Sequence, residues 1–132
     1  MNKEKIIRIV NELGLENKYH HVFMGGSLAM RGIRDTRDLD IGVDKKTFKD
    51  LIRRFNVEEL GLYKSALSNR KFDLVVLDED VEVFELDNEK EFDIIEGIKV
   101  QKIEDIIKLK KSFGREKDLI DLELISKRAE DF

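Results

Sequence analysis

The stretch MGGSLAMRGIRDTRDLDIGV, residues 24–43, decides how this chain is read. Two adjacent glycines and Ser27 follow an apolar run, and ten residues separate Ser27 from the pair Asp38 and Asp40. Residues two apart in a strand point to one face, so Asp38 and Asp40 share a face, with Cα atoms roughly 6–7 Å apart. Leu39, Ile41 and Val43 then occupy the opposite face and can pack inward. Glycine tolerates positive φ and close approach of another group. Ser27 would stand at a helix N-terminus, where N–H groups and the helix dipole favour an anion such as phosphate. Two readings stay open on these residues. One is a structural turn followed by a strand with an acidic solvent face. The other is a phosphate cradle beside a metal site.

Asp73 bears on that choice. It sits in KFDLVVL, residues 71–77, a β-prone run that is otherwise apolar on both faces after its first residue. A buried carboxylate is costly unless it is paired or binds a metal. A lone acid on an edge strand is the plain alternative. If Asp73 joins Asp38 and Asp40 from a neighbouring strand, three carboxylates converge, and Mg²⁺ or Mn²⁺ would neutralise them.

Around this centre, hydrophobic periodicity predicts helices over residues 2–13, 45–55, about 103–113 and about 115–128, with a short helix or turn over 27–31. Asp44 is a candidate N-cap, and Gly14 a helix stop. Strands are expected over residues 19–26, 38–43, 62–67, 71–77, 81–86 and 98–100, with a tight turn at 68–70. The fold class is α/β (α+β): a mixed sheet of about four to five strands with helices packed on it. Phe48, Phe55 and Phe113 are expected in the core. The apolar residues Leu119, Ile120, Leu122, Leu124 and Ile125 give the last helix a broad apolar face.

The 132 residues suit a single domain spanning 1–132. Charged residues make up 41% with the signs interspersed, and the net charge of −4 argues against a dedicated nucleic-acid binder. The absence of cysteine excludes thiolate metal sites and fits a reducing compartment. MNKEKIIRIV is too charged for a signal peptide and no apolar run approaches ~20 residues, so no membrane span and a cytoplasmic location are expected. The adjacent His20 and His21 would face opposite sides of a strand, which makes them poor joint ligands and favours structural or surface roles. The basic run Lys108, Lys110, Lys111, Arg115 and Lys117 reads as a solvated face rather than an RNA groove.

Taken together, Gly25-Gly26-Ser27, Asp38-Leu39-Asp40 and Asp73 resemble the signature of the nucleotidyltransferase superfamily, whose catalytic domain is like that of DNA polymerase β. Gly32, Arg34 and Thr36 resemble the family's lead into the acid strand. The end of the chain, with Lys110, Arg115, Lys117, Asp118 and Asp121, resembles small bacterial and phage-type members, including abortive-infection toxin nucleotidyltransferases. The resemblance implies transfer of a nucleoside monophosphate from an NTP, with ATP favoured, to a hydroxyl acceptor (a small molecule, a protein or an RNA end), releasing pyrophosphate. Asp38, Asp40 and Asp73 would be catalytic and hold Mg²⁺ or Mn²⁺. Gly25, Gly26, Ser27 and Lys110 would bind the nucleotide. The plain alternatives are a solvent-facing Lys110 and a local ion-pair network capping the last helix. The chain departs from the pattern in size, having only two C-terminal helices where many members append a helical domain. That leaves room for a homodimer or an antitoxin-like partner, and for a nucleotide- or partner-binding module without transfer.

Overall fold

Val22, Ile41 and Val83 stand side by side on three adjacent strands, and Val22 is also the partner of Val100 on a fourth. All four are fully buried, and they form the middle of the core. The computed structural model describes residues 1–55, 71–73 and 80–129, with 71–73 and 129 described by backbone only. Within them lie α1 (Lys3–Glu12), β1 (His20–Phe23), α2 (Gly25–Met30), β2 (Leu39–Val43), α3 (Lys45–Phe55), β3 (Lys71–Asp73), β4 (Val81–Glu85), β5 (Phe92–Ile95), β6 (Ile98–Gln101), α4 (Ile103–Phe113) and α5 (Glu116–Ala129). The expected strand over 62–67, the turn at 68–70 and the continuation of β3 past Asp73 lie outside the described residues.

Among the described residues the sheet is mixed and six-stranded, in the order β3-β4-β2-β1-β6-β5. The β1/β2, β3/β4 and β5/β6 pairs are antiparallel, while β2/β4 and β1/β6 are parallel. Strand β5 was not anticipated. It is joined to β6 by Glu96-Gly97, both at positive φ (49° and 81°). A two-residue hairpin turn of this kind usually announces itself as Asn-Gly or Asp-Gly, and glutamate hides it.

One face of the sheet, carrying Val22, Leu39, Ile41, Val43, Val81, Val83, Ile98 and Val100, packs against α1, α2 and α3 through Ile6, Ile9, Val10, Ala29, Met30, Phe48 and Leu51. The opposite face carries a smaller cluster of Phe23, Phe84 and Leu86. A third cluster, Leu28, Ile106 and Ile125, anchors α4 and α5 to α2. Helix ends follow their local chemistry. Asp44 accepts from the Thr47 N–H at 2.9 Å, as its N-cap role requires. Asn2 caps α1 in the same way. Gly114, at φ 60°, ends α4 by donating to the Lys110 carbonyl at 2.9 Å.

One expectation about the core is corrected. Phe113 is 53% exposed, with the Arg115 guanidinium 4.8 Å above its ring. Leu119 and Ile120 are also more than half exposed, so the apolar face of α5 is only partly covered. Among the described residues no helix is long and apolar enough to cross a membrane.

Candidate functional site

The site begins where β1 stops. Met24 takes φ 48° and ψ −117°, a backbone region that a residue with a side chain occupies only under constraint. The constraint is visible: the Met24 N–H donates to Gln101 Oε1 at 2.9 Å. This kink ends β1 three residues before the expected boundary and turns the chain at once into α2. Gly25 and Gly26 open that helix, so their N–H groups and that of Ser27 fall in its first turn, where no intrahelical carbonyl reaches them.

Both glycines are required by packing. A Cβ on Gly25 would lie 2.4 Å from Thr36 Oγ1, and one on Gly26 would lie 2.6 Å from Val22 Cγ1 and 2.9 Å from Leu39 Cδ1. Thr36 in turn donates its hydroxyl to the Asp38 carbonyl at 2.8 Å. The Gly-Gly turn and the acid strand are thereby locked together. The register agrees, since the last pair of the β1/β2 ladder, Phe23 with Asp40, lies next to both.

The acids occupy the sheet face away from the main core, the one shared with Phe23. Asp38 is exposed, just before β2, and Asp40 is half-buried within it. Asp40 pairs with Glu82 of β4, and Glu82 pairs with Asp73 of β3. Direct cross-strand partners share a face, so Asp40 and Glu82 lie side by side on β2 and β4, and Asp73 holds the backbone position opposite Glu82 on β3. Glu82 escaped the sequence reading, although the alternation of VEVFE carried the signal. Among the described residues no group of three or more acids or histidines is gathered closely enough to hold a metal ion. The side chain of Asp73 lies outside those residues.

Ser27 and Lys110 are both engaged by partners within the fold. Ser27 is fully buried and its hydroxyl donates to the Gln101 carbonyl at 2.7 Å, tying α2 to β6. The hydroxyl proton is thus committed within the fold. Lys110 is 4% exposed, not solvent-facing, and its ammonium lies 2.8 Å from Asp121 and 3.6 Å from Asp118. Arg34 grips Asp121 with two hydrogen bonds, of 2.7 and 2.9 Å. Arg115 does the same to Asp118 at 2.7 and 3.2 Å and adds its backbone N–H at 3.1 Å. The Arg115–Asp118 half is a local cap of α5. The Asp121 half is long-range and fastens α4 and α5 to the loop that carries Arg34.

These pairs surround a cavity of about 380 Å³ lined by Met24, Gly25, Arg34, Lys110, Arg115 and Lys117, with Asp118 and Asp121 among them. Four cations face two carboxylates, so its wall keeps a net positive charge. The structure therefore brings Gly25 and Lys110, distant in sequence, to one cavity. Burial pushes the Asp121 carboxyl up, but hydrogen bonds and charge from Arg34 and Lys110 outweigh it and hold it below its ordinary value. The Arg115 hydrogen bond holds Asp118 low in the same way, against the opposing effect of burial.

His20 and His21 are both buried, on opposite faces. His20 is structural: its Nε2 accepts from the Lys99 N–H at 3.1 Å and its Nδ1 lies 3.2 Å from the Lys18 carbonyl. Burial lowers its pKa. His21 stacks on Phe23 with ring centroids 4.2 Å apart.

Among solved structures, the chain is similar to a "putative nucleotidyltransferase" of Thermotoga maritima, TM1012, at 17% identity, covering all of this chain and 97% of that one with a TM-score of 0.57. It is also similar to JHP933 of Helicobacter pylori at 20% identity, over 82% of this chain and 54% of that one, with a TM-score of 0.48. No protein-family model and no curated protein matches. The full-length likeness to the Thermotoga protein shows that this chain has a nucleotidyltransferase-like fold.

Proposed function

We propose that the protein is a metal-dependent nucleotidyltransferase. It would move a nucleoside monophosphate from an NTP, with ATP favoured, to a hydroxyl acceptor and release pyrophosphate. The observation that carries this reading is the backbone register that aligns positions 40, 82 and 73 across β2, β4 and β3, with Asp38 joined through Thr36 to the Gly25 turn.

Carboxylate oxygens are the donors that Mg²⁺ or Mn²⁺ prefers, and exposed Asp38 with half-buried Asp40 can be approached from solvent. Asp38, Asp40 and Asp73 would hold the ion. When bound, it neutralises phosphate charge and stabilises the attacking and leaving oxygens. The chain's own groups do the rest. First-turn N–H groups of Gly25 and Gly26 donate to phosphate oxygens. Arg115 and Lys117, exposed at the cavity, meet the triphosphate charge. Lys110 and Arg34 act from fixed positions, since their carboxylate partners prevent them from swinging out. The acceptor oxygen bonds to the α-phosphorus as the bond to the bridging oxygen breaks. Its proton passes to a carboxylate, a role assigned to Asp73.

Incubation with α-labelled NTPs, Mg²⁺ and a cell extract should transfer label to an acceptor, and Asp38→Ala/Asp40→Ala should abolish it. Undiminished transfer by the double variant overturns the reading. The internal commitment of Ser27 and Lys110 favours one second reading, a nucleotide-binding module without transfer. Calorimetric binding of ATP–Mg²⁺ with no label transfer to any acceptor would select it.

A further inference from the structure

A second cavity, of about 300 Å³, lies on the same sheet face as Asp40 but on the β1–β6 side, walled by α4. His21 and Phe23 line it together with Gln101, Lys90, Asp105 and Lys108. His21 is 1% exposed, and neither of its ring nitrogens has a hydrogen-bond partner among the described residues. Buried polar groups are nearly always satisfied, so an imidazole with two idle nitrogens beside a cavity calls for an occupant.

We propose that this cavity is a nucleobase-binding site that receives the base of the NTP whose phosphates lie at the Gly25 turn. Its source, the donor nucleotide, rests on the transferase reading, whereas the base-binding chemistry does not. Three observations select a flat, uncharged heteroaromatic ring. The stacked rings of His21 and Phe23 form part of the cavity wall, and bases pack readily against aromatic rings. The rim carries two cations, Lys90 and Lys108, against two acids, Glu91 and Asp105, so it has no net charge to hold a phosphate. The hydrogen-bonding groups are of both kinds. Burial drives the His21 pKa down to about 4, which keeps the ring neutral with one donor and one acceptor nitrogen. The Gln101 carboxamide oxygen is held by Met24, which leaves its NH₂ group as the donor for the wall. That same Met24 bond couples the cavity to the phosphate turn.

The test uses the whole chain, ¹⁵N-labelled at histidine, titrated with adenosine, guanosine, cytidine and uridine at millimolar concentration. Nucleosides carry no phosphate, so transfer activity is irrelevant to the result. At least one should shift the His21 ring nitrogens, and Asp38→Ala/Asp40→Ala should leave that shift intact. His21→Phe keeps the stack but removes both nitrogens, and should weaken nucleoside binding about tenfold or more, the worth of one or two hydrogen bonds. The ring-nitrogen shift in the unaltered protein is decisive even if that variant fails to fold. No shift with any nucleoside, or equal affinity in a folded His21→Phe, overturns the proposal. The corresponding NTP should give the same shift at lower concentration. A shift produced by a short RNA ending in that base, but not by the NTP, overturns the assignment to the donor nucleotide.

Discussion

Thr36 closes over Gly25 so tightly that a Cβ there would sit 2.4 Å from its Oγ1. The same hydroxyl holds the Asp38 carbonyl, so a side chain at position 25 would displace the acid strand as well as the turn. Gly25→Ala should therefore destabilise the fold by about 1–3 kcal/mol, the usual penalty of overpacking. Urea denaturation measures this. Removing the obstruction in Gly25→Ala/Thr36→Ala should recover part of the loss, and failure to recover any would show that the backbone, not Thr36, sets the limit.

Ser27→Ala should cost stability rather than nucleotide affinity. The hydroxyl serves the Gln101 carbonyl, which keeps a second donor in Arg31 at 3.0 Å. The acceptor is thus not orphaned, and the loss should be near 1 kcal/mol. The KM for NTP should stay within about threefold of the unaltered protein. A large rise in KM at unchanged stability would return Ser27 to the phosphate site.

Asp121→Asn leaves Lys110 and Arg34 without their shared partner. Breaking a buried pair of this kind costs about 3–5 kcal/mol. The pH dependence follows from the depressed carboxyl pKa. The unfolded chain takes up its proton near the ordinary value of 3.8, the folded chain only at lower pH. The stabilisation is therefore complete above that value and is lost as pH falls through the folded pKa. Denaturation of both proteins near neutrality and at about pH 3 should show the gap between them narrowing in acid. An unchanged gap would mean that Asp121 is not the group that titrates.

The histidines set a second, higher window. His21 falls from 6.5 to about 4 on folding, so between those values the unfolded chain binds a proton that the folded chain does not. Stability should decline as pH drops through that interval. His20, also lowered by burial, adds in the same direction. In His21→Phe the decline from pH 6.5 to 4 should be shallower, as followed by thermal melting. An identical slope would assign it wholly to other groups.

Periodicity alone located α1, α3, α4, α5 and the strands β1, β2, β4 and β6, because each has an apolar stripe matched to its own repeat. The resemblance in residues 24–43 and at the C-terminus pointed to the nucleotidyltransferase-like fold that the full-length structural likeness supports. What those residues do to one another was not legible in them. Whether Gly25 is a glycine for phosphate or for packing depends on Thr36, eleven positions away, and whether Lys110 faces water depends on Asp121 and Arg34. Glu82 came to stand beside Asp40, and His21 was left without hydrogen-bonding partners, only when strands distant in sequence fell into register. Local sequence sets the repeat of each element and the chemistry each side chain carries. Burial, pairing and cavity shape arise between elements, and only the tertiary structure decided them.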